Sequence, residues 1–408
     1  FTMSRSLLYH AFGIRSRYNY KKTEYIQGEI YFTIEKPDVY LECPICGNEN
    51  VIKRGTRERV FKNLPIGSKM TYLVLPIHRL ECRNCERVYQ EEVKFAVQYR
   101  SYTKKFARYV IGLSKEMSTK AIAEYLGVSW GMIKDIQKNH LKKEYEHLNA
   151  KDLKYLAIDE VAIHKGHNYL TVVMDLETGN VIYANQGRKK KSLDELWKKL
   201  NRYKKNIKAV AMDMWKAYIT AVLENLPNAK IIFDRFHITK KFNDLLRKLR
   251  SKIYKNITNT TDKEVLKGTT WLLLKNSDNL NEEKNEEQKL EEAIQVNESL
   301  FFAYYLKEDL RTFWELETVE KAKKFLGEWC AKAYASGIKL LHNFANTLLS
   351  HRTGIFNYFK HKITTGPLEG MNNKVGVLKR RMYGFRDLEF FILKLYDLHN
   401  SKITLSGA

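Results

Sequence analysis

The sequence has 408 residues and a mass of 48.1 kDa, which at about 100–200 residues per domain predicts two to four domains. Hydrophobic residues make up 44% and charged residues 29%, a balance that excludes an intrinsically disordered chain. Lysine and arginine outnumber aspartate and glutamate by 71 to 47, so the net charge of +24 indicates a polyanionic partner, either nucleic acid or an acidic membrane surface.

Two further classes of protein are excluded before any motif is considered. No apolar run is long enough for a membrane-spanning helix, and we expect no membrane partner. Five cysteines are too few for a disulfide scaffold in a chain of this length. We therefore expect a reducing, cytoplasmic location.

The N-terminal part of the chain has the patterns of strands and turns. Residues 1–40 form an extension with two strand-like runs, 23–27 and 29–34, and without an evident chemical role. The following segment, 41–97, is bounded by cysteines. Its alternating interior predicts a hairpin that turns at residues 66–68.

Residues 98–146 have a helical period, and strands return after them. Ser192 and Glu195 could form a capping box for a helix over 192–203, and a second helix is predicted to end near residue 226. Five runs have the composition of buried strands: 154–158, 168–174, 181–185, 207–213 and 230–233.

Two Cys-x-x-Cys motifs lie at the ends of the predicted hairpin, Cys43-Pro-Ile-Cys46 and Cys82-Arg-Asn-Cys85. One tight turn can place two thiolates on a tetrahedral ion, and thiolates suit zinc. The hairpin would bring the two motifs together, as in a zinc ribbon; the alternative is four unliganded or redox-active cysteines. With four ligands the predicted site is closed, so its zinc would stabilise the fold rather than catalyse a reaction.

Residues 118–136 have the layout of a helix-turn-helix. Ser118 can cap a first helix, Gly127 permits a sharp turn and Ser129 can cap a second helix. The second helix of such a unit enters a DNA major groove, and an ordinary helical hairpin is the alternative. The predicted DNA-contacting residues on this helix are Ser129, Trp130, Lys134 and Lys138.

Two aspartates end apolar, strand-like runs. Asp159 follows Tyr-Leu-Ala-Ile, and Asp213 follows Ala-Val-Ala-Met. A carboxylate at the end of a buried strand is costly unless it is paired or binds a cation, and oxygen ligands with open positions suit Mg²⁺ or Mn²⁺. Each aspartate alone is equally well explained as a turn residue. Together they fit a strand order that resembles the RNase H-like fold.

A third carboxylate occurs late in the chain, in segment 364–374. Pro367 fits the first turn of a helix. On that helix Glu369 would share a face with Asn372 and Asn373, its neighbours three and four residues on. This segment could therefore complete an acidic triad with the two aspartates.

In combination, these motifs resemble one family. The cysteine motifs, the helix-turn-helix and four acidic segments occur in an order similar to that of ISL3-type bacterial insertion-sequence transposases, a DDE enzyme family. The four segments are Ile158-Asp159-Glu160, Ala211-Met212-Asp213-Met214, Phe233-Asp234-Arg235-Phe236-His237 and Leu368-Glu369-Gly370-Met371-Asn372-Asn373. The resemblance covers residues 41–400.

The resemblance implies a multidomain α+β fold. Its parts would be an N-terminal zinc ribbon, a helix-turn-helix, and an RNase H-like α/β catalytic domain with an all-helical insertion. The predicted limits are 1–40 for the extension, 41–97 for the zinc ribbon, 98–146 for the helix-turn-helix, 147–256 and 351–408 for the two catalytic parts, and 257–350 for the insertion.

The resemblance also implies an activity, the cutting and joining of DNA at the ends of a mobile element. Asp159, Asp213 and Glu369 would hold two Mg²⁺ or Mn²⁺ ions about 3.5–4 Å apart, which activate the attacking oxygen and stabilise the leaving one. Water would free a 3′-hydroxyl, which then attacks the target. The implied partners are double-stranded DNA, as terminal inverted repeats and as target, and a second copy of the chain, because two ends must be joined.

Other residues are predicted around this chemistry. Asp234, His237, Asn372 and Asn373 would support the triad, although a structural role for His237 is equally consistent. Glu160 should point to the opposite side of its strand, where solvation or an indirect role is expected. Two basic runs are predicted to contact phosphates: Arg188, Lys189 and Lys190, and Lys379, Arg380 and Arg381. In the insertion, Trp271, Trp314 and Trp329 are predicted to lie in the core.

Two other functions stay open. A catalytically silent regulator would use only the zinc and helix-turn-helix modules to bind DNA, and a plain RNase H-like nuclease would cut without joining. Metal-dependent cleavage of DNA that contains an element end separates the first from a transposase. Strand transfer of a pre-cut end into a plasmid separates the second.

Overall fold

The structure is a computed structural model that describes residues 5–14, 17–164, 168–363, 366–382 and 386–399. The described residues form two compact units, one ending at Glu146 and the other beginning at His147. Each unit has hydrophobic cores of its own. Among the described helices, none combines the length and the apolarity needed to cross a bilayer.

The first unit is built on a five-stranded sheet in the order β1-β2-β4-β3, with β5 paired to β4. Strands β2 and β4 are parallel and the other pairs are antiparallel. The N-terminal extension and the cysteine-bounded segment therefore share one sheet. The elements are α1 (Arg5–Phe12), β1 (Asn19–Ile26), β2 (Glu29–Glu35), β3 (Val51–Ile66), β4 (Lys69–Cys82), β5 (Arg87–Gln90), α2 (Lys104–Leu113), α3 (Thr119–Tyr125) and α4 (Trp130–Glu144).

Strands β3 and β4 form the long hairpin that the sequence predicts. Ile66 pairs with Lys69 around Gly67, whose φ of +59° is one that glycine adopts without strain. At the other end of the hairpin, Val51 pairs with Cys82. The hairpin thus returns the chain to its starting point and places the two cysteine motifs side by side.

Helices α2, α3 and α4 confirm the predicted helix-turn-helix. The hydroxyls of Ser118 and Ser129 accept hydrogen bonds from the backbone amides of Ala121 and Met132, so each serine caps its helix. Gly127, with φ of +57°, makes the turn between them. The three helices enclose a small core: Phe106, Val110, Ile122, Leu126, Ile133 and Ile136.

The second unit contains all five strands predicted for an α/β domain. The sheet order is β10-β9-β6-β7-β8, in which β6, β7 and β8 are antiparallel neighbours and β9 and β10 run parallel to β6. This is the RNase H-like order of strands that the sequence predicts. The strands are β6 (Tyr155–His164), β7 (Asn168–Asp175), β8 (Val181–Gln186), β9 (Ala209–Met212) and β10 (Lys230–Phe233).

Helices make up most of the rest of this unit. They are α5 (Asp194–Lys199), α6 (Lys216–Asn225), α7 (Arg235–Asn256), α8 (Thr260–Leu266), α9 (Thr270–Leu274), α10 (Glu286–Gln295), α11 (Glu298–Phe313), α12 (Val319–Ala335), α13 (Lys339–Ser350), α14 (Arg352–His361), α15 (Gly366–Arg381) and α16 (Leu388–Tyr396). Between α7 and α14 no described residue belongs to a strand, so the predicted helical insertion is present.

Both faces of the second sheet are covered, as parallel strands require. On one face, Leu156 and Ile158 of β6 join a core with α6, α7 and α12. On the other face, Ala157 and Val161 join a core with α15 and α16. Alternation along β6 therefore places Asp159 on the face of α15 and Glu160 on the face of α6.

Two predicted features of the second unit are wrong. The helix over 192–203 is only α5, flanked by 3₁₀ turns, because the buried Ser192 hydroxyl donates to the Lys189 carbonyl and meets Thr171 instead of capping a helix. Trp271 is 70% exposed rather than in the core, since the short helix α9 buries Leu273 instead. Trp314 and Trp329 are buried as predicted.

Candidate active site and metal centre

Three aspartates lie in a line because of the strand register of the second sheet. Met212 at the end of β9 pairs with Ile158 of β6 on one side and with Phe233 of β10 on the other. The residue after each of these three is an aspartate: Asp159, Asp213 and Asp234. Strand β6 continues to His164, so Asp159 is not at the end of its own strand, as the sequence suggested, but at the point where its parallel neighbour ends.

One histidine lies within ion-pair distance of all three carboxylates. His237 Nε2 is 3.7 Å from Asp159 Oδ1 and 3.8 Å from Asp234 Oδ2, and His237 Nδ1 is 4.0 Å from Asp213 Oδ2. The two candidate catalytic aspartates, Asp159 and Asp213, are distant in sequence, yet each has a carboxylate oxygen within 4.0 Å of the same imidazole.

Asp234 fixes the position of that histidine. It is buried, and its Oδ1 accepts a 3.0 Å hydrogen bond from the backbone amide of Phe236, so it caps α7. The first turn of α7 then presents His237 to the cleft. A buried aspartate at a helix N-terminus is stabilised by the helix dipole and by the free amides there.

Helix α15 brings the late part of the chain to the same cleft. Met371 and Val375 are buried against the sheet. The Asn372 side-chain amide donates a 2.9 Å hydrogen bond to Asp159 Oδ2, while its carbonyl oxygen Oδ1 is buried and has no hydrogen-bond partner among the described residues. Glu369 lies one turn earlier on this helix, but its side chain is outside the described part of the structure.

Glu160 is partly buried rather than fully exposed to solvent, in contrast to one of the sequence expectations. Its carboxylate lies half-buried beside Tyr218 and 3.9 Å from the Arg188 guanidinium. Burial raises the pKa of Glu160, and the negative charges of Asp159 and Asp213 raise it further against the opposing effect of Arg188. Glu160 lines the cleft and also lies beside Arg188, so the basic run that begins at Arg188 is close to the edge of the cleft.

The predicted phosphate-binding residues differ in their contacts with the rest of the protein and in their exposure to solvent. The Arg188 guanidinium lies over the rings of Tyr169 and Trp215, at 5.1 and 5.2 Å. Lys190 is paired with Glu224, and Lys379 donates a 2.8 Å hydrogen bond to the Ala162 carbonyl. The exposed members of the set are Arg188, Lys189, Lys190, Arg380 and Arg381. Asn373 is also exposed and is not among the described residues that line the cleft.

The insertion supplies one wall of the cleft, which the sequence did not indicate. The cleft has a volume of about 660 Å³ and contains the three aspartates, His237 and Asn372. Its far wall comes from α11 and the residues around it: Leu274, Asn276, Lys307, Leu310, Arg311, Trp314 and Glu315. Only the folded insertion brings these residues to the carboxylates, so no local pattern could have identified them.

The four cysteines of the first unit form a compact cluster. Their sulfur atoms all lie within 4.8 Å of one another, with Cys43 Sγ 3.9 Å from Cys85 Sγ and Cys46 Sγ 3.6 Å from Cys82 Sγ. Four sulfurs at about 2.3 Å from a tetrahedral zinc ion would be about 3.8 Å apart, so the cluster fits zinc.

Hydrogen bonding within this cluster favours a thiolate. A hydrogen bond from the Asn48 backbone lowers the pKa of the Cys46 thiol to about 6. The hydrogen bond that Cys85 shares with Cys46 raises the pKa of Cys85 to about 12. The thiolate is the form of cysteine that binds zinc.

Helix α4 carries the predicted DNA-reading residues. The Ser129 hydroxyl is occupied as the cap, and Trp130 is exposed. The Lys134 ammonium lies 5.3 Å from the centre of the Trp130 ring, and Lys138 is half-buried. The helix therefore presents an aromatic and a basic side chain together at its N-terminal end, where recognition helices contact base edges.

Three family models match this chain. A transposase model of the ISL3 group matches residues 156–395. A model for the zinc finger of transposases IS204, IS1001, IS1096 and IS1165 matches residues 41–85. A model for the helix-turn-helix domain of transposase family ISL3 matches residues 91–141.

Whole proteins and solved structures that match this chain include the following. The transposase for insertion sequence element IS1001 of Bordetella parapertussis is 31% identical, over 86% of this chain and 87% of the relative. The transposase for insertion sequence element IS1557 of Mycobacterium tuberculosis is 25% identical, over 90% of this chain and 88% of the relative. The Drosophila P element transposase strand transfer complex matches with a TM-score of 0.39 and 12% identity, over 76% of this chain and 95% of that chain.

Proposed function

The chain belongs to the ISL3 family of transposases, and from that premise we propose that it cuts DNA at the ends of an insertion sequence and joins those ends to target DNA. The single observation that supports this most strongly is the line of aspartates set by the sheet register. Asp159 and Asp213 meet at His237 although they are 54 positions apart in the sequence (213 − 159 = 54).

We propose that Asp159, Asp213 and Glu369 hold Mg²⁺ or Mn²⁺. The donor set is oxygen-rich, as these ions prefer. The unpartnered, buried Oδ1 of Asn372 supports the presence of a cation beside Asp159, because a buried amide oxygen without a partner among the described residues is costly. Such ions, when bound, activate the attacking oxygen and neutralise charge on the leaving one.

The chain's own residues prepare the site for phosphoryl transfer. Asn372 holds the Asp159 carboxylate in one orientation through its 2.9 Å hydrogen bond. His237 spans the aspartates, so it is positioned to hold a proton or contact a phosphate oxygen at the cleft. Arg188, fixed over Tyr169 and Trp215, places a positive charge at the rim next to Glu160.

The proposed reaction needs two displacements at phosphorus. In the first, a water oxygen bonds to the scissile phosphorus and the bond to the 3′-oxygen breaks, which leaves a 3′-hydroxyl. In the second, that hydroxyl attacks a target phosphodiester and releases a target 3′-hydroxyl. No covalent bond between protein and DNA is formed, so a serine or tyrosine nucleophile is not required.

The first unit would select the DNA. We propose that α4 enters the major groove with Trp130 and Lys134, and that the zinc-bound cysteine cluster holds the β3–β4 hairpin that carries the rest of the unit. Because two element ends must be cut and joined together, a homodimer or a larger homo-oligomer is the proposed active species.

The test is cleavage of a duplex that carries the element end, in Mn²⁺, by Asp159→Asn, Asp213→Asn and Glu369→Gln. Each is expected to lose at least about 1,000-fold in nicking rate, since removing a group that acts as part of a catalytic unit has effects of this order. End binding without metal should be unchanged. The matched control is Asp194→Asn, an exposed aspartate outside the cleft, which should nick normally.

The same assay separates the two other functions. If wild-type protein binds the end but never nicks it, the chain is a regulator. If it nicks but cannot transfer a pre-cut end into a plasmid, it is a nuclease. Retained nicking by all three triad variants would show that the chemistry lies elsewhere.

A further inference from the structure

Helix α7 begins at the cleft and is the most basic helix of the second unit. Its 22 residues contain eight lysines and arginines and one aspartate, Asp244. Asp244 is paired with Arg247 at 3.1 Å. The helix therefore carries a strong positive charge that leads away from His237, and none of this charge has been assigned a role by the active-site chemistry.

The charges of α7 lie away from its core. The residues that bury the helix against its neighbours are Ile238, Phe242, Leu245, Leu246 and Leu249. The opposite side is exposed and carries what we define as the basic face of α7: Lys240, Lys241, Arg247, Lys248, Lys252 and Lys255. Because these positions recur at helical spacing, they form a strip along one side of the helix, in which Asp244 is the one acidic residue.

The lysines of this face are not neutralised within the protein. Among the described residues, none forms an ion pair with Lys240, Lys241, Lys248, Lys252 or Lys255. Exposed lysines of α12 behave differently, since Lys321 pairs with Glu317 and Lys324 with Glu328. Like charges at helical spacing repel one another, so the basic face of α7 costs stability unless an external anion occupies it.

The basic face is continuous with the cleft. Thr239, Lys240 and Asn243 line the cleft together with His237, and the remaining lysines extend from there along the helix. Arg247 is held over the ring of Trp271, 5.7 Å from its centre, while its own side chain stays 46% exposed. An exposed tryptophan beside a fixed guanidinium is a surface suited to a sugar–phosphate backbone.

We propose that the basic face of α7 binds the phosphate backbone of duplex DNA as it leaves the cleft, without reading bases. At about 1.5 Å per residue, the strip from Lys240 to Lys255 is about 22 Å long. One DNA strand presents a phosphate about every 3.4 Å, so about six phosphates match the strip. The inference rests on the proposed function only in that DNA must reach the cleft.

The experiment compares three full-length variants in binding to a fluorescein-labelled duplex of arbitrary sequence, by anisotropy without divalent metal. K248Q/K252Q/K255Q removes the distal half of the face. K248R/K252R/K255R keeps its charge. K321Q/K323Q/K324Q removes as many lysines from α12, which has no residue lining the cleft. Glutamine and arginine keep helix propensity at these exposed positions, so all three variants should fold.

The measured quantity is the slope of log K against log salt concentration. Each lost phosphate contact lowers the slope by about 0.9. The glutamine variant of α7 should therefore lose about 2–3 in slope and bind on the order of 100-fold more weakly at about 0.15 M salt. The arginine variant and the α12 variant should keep the wild-type slope.

Equal slopes for the glutamine variants of α7 and α12 would overturn the proposal. So would a change in the mass of the protein oligomer for the α7 variant with an unchanged slope, because the face would then contact protein. If the proposed function is wrong, wild-type protein will not nick DNA in Mn²⁺. That result is independent of the salt dependence of binding, so the two failures can be distinguished.

Discussion

The molecule contains two candidate metal centres, and they are built in opposite ways. The cysteine cluster of the first unit comes from two tight turns that one hairpin brings together. The carboxylate cleft of the second unit comes from three strands and a helix that is remote in sequence. We expect the first centre to need its ion to complete a small fold, whereas the carboxylates of the second are positioned by a sheet that is already buried on both faces.

The comparison predicts that removal of zinc destabilises the first unit only, and this is the largest expected effect. Chelation of zinc, or Cys82→Ser, should unfold the first unit, because structural zinc contributes about 10 kcal/mol in small zinc domains. The second unit should keep its melting transition. Differential scanning calorimetry with a zinc assay measures both.

The control is Cys330→Ala, which removes a buried thiol outside the cluster. It should leave the zinc content unchanged. If chelation shifts the melting transitions of both units equally, or shifts neither, then the two units do not differ in their dependence on zinc.

A second prediction tests the claim that packing alone positions the carboxylates. A Cβ at Gly354 of α14 would lie 2.5 Å from the ring of Phe233, the residue before Asp234. Gly354→Ala should destabilise the second unit by about 3 kcal/mol and lower nicking. Gly327→Ala on α12, where no atom lies within 4 Å, should stabilise it by about 0.5–1 kcal/mol. Urea denaturation gives both values, and similar values for the two variants would contradict the packing.

A third prediction concerns the orientation of one carboxylate. Asn372→Ala removes the hydrogen bond to Asp159. It should slow nicking about 30-fold, which corresponds to about 2 kcal/mol in activation free energy. The stability of the first unit should be unchanged. Asn373→Ala, which alters an exposed neighbour on the same helix, should nick normally. A nicking assay at saturating DNA distinguishes the two, and equal rates would remove Asn372 from the site.

The smallest predicted effect lies in the first unit. Ser129→Ala removes the cap of α4 and should destabilise the helix-turn-helix by about 1 kcal/mol. The exposed Ser101, whose side chain makes no hydrogen bond among the described residues, is the control for Ser→Ala. Denaturant titration of each variant measures the difference, and no loss for Ser129→Ala would mean that the capping bond is not formed in solution.

The two centres also differ in how much of them the sequence reveals. The cysteine motifs, both serine caps and Gly127 were identified from spacing, because each depends on residues within one turn of the chain. The sequence also indicated Asp159 and Asp213, since a carboxylate after a buried run is unusual. It could not indicate their alignment, which depends on which strands pair and in which register.

The errors have the same origin. Ser192 has the pattern of a helix cap, but a tertiary contact with Thr171 uses its hydroxyl. Trp271 has the composition of a core residue, but it lies on a helix too short to bury both it and Leu273. The cleft wall from the insertion carries no local signal, because its residues meet the carboxylates only after the helices have packed.

The shared row of Ile158, Met212 and Phe233 also limits how this chain can change in length. Adding or deleting one residue within β6, β9 or β10 would turn the following carboxylate to the opposite side of the sheet. Residues inserted between Asp234 and α14 do not change the register of these three strands. Large helical additions can therefore accumulate at that point, while the strands before it tolerate substitutions but not changes in length.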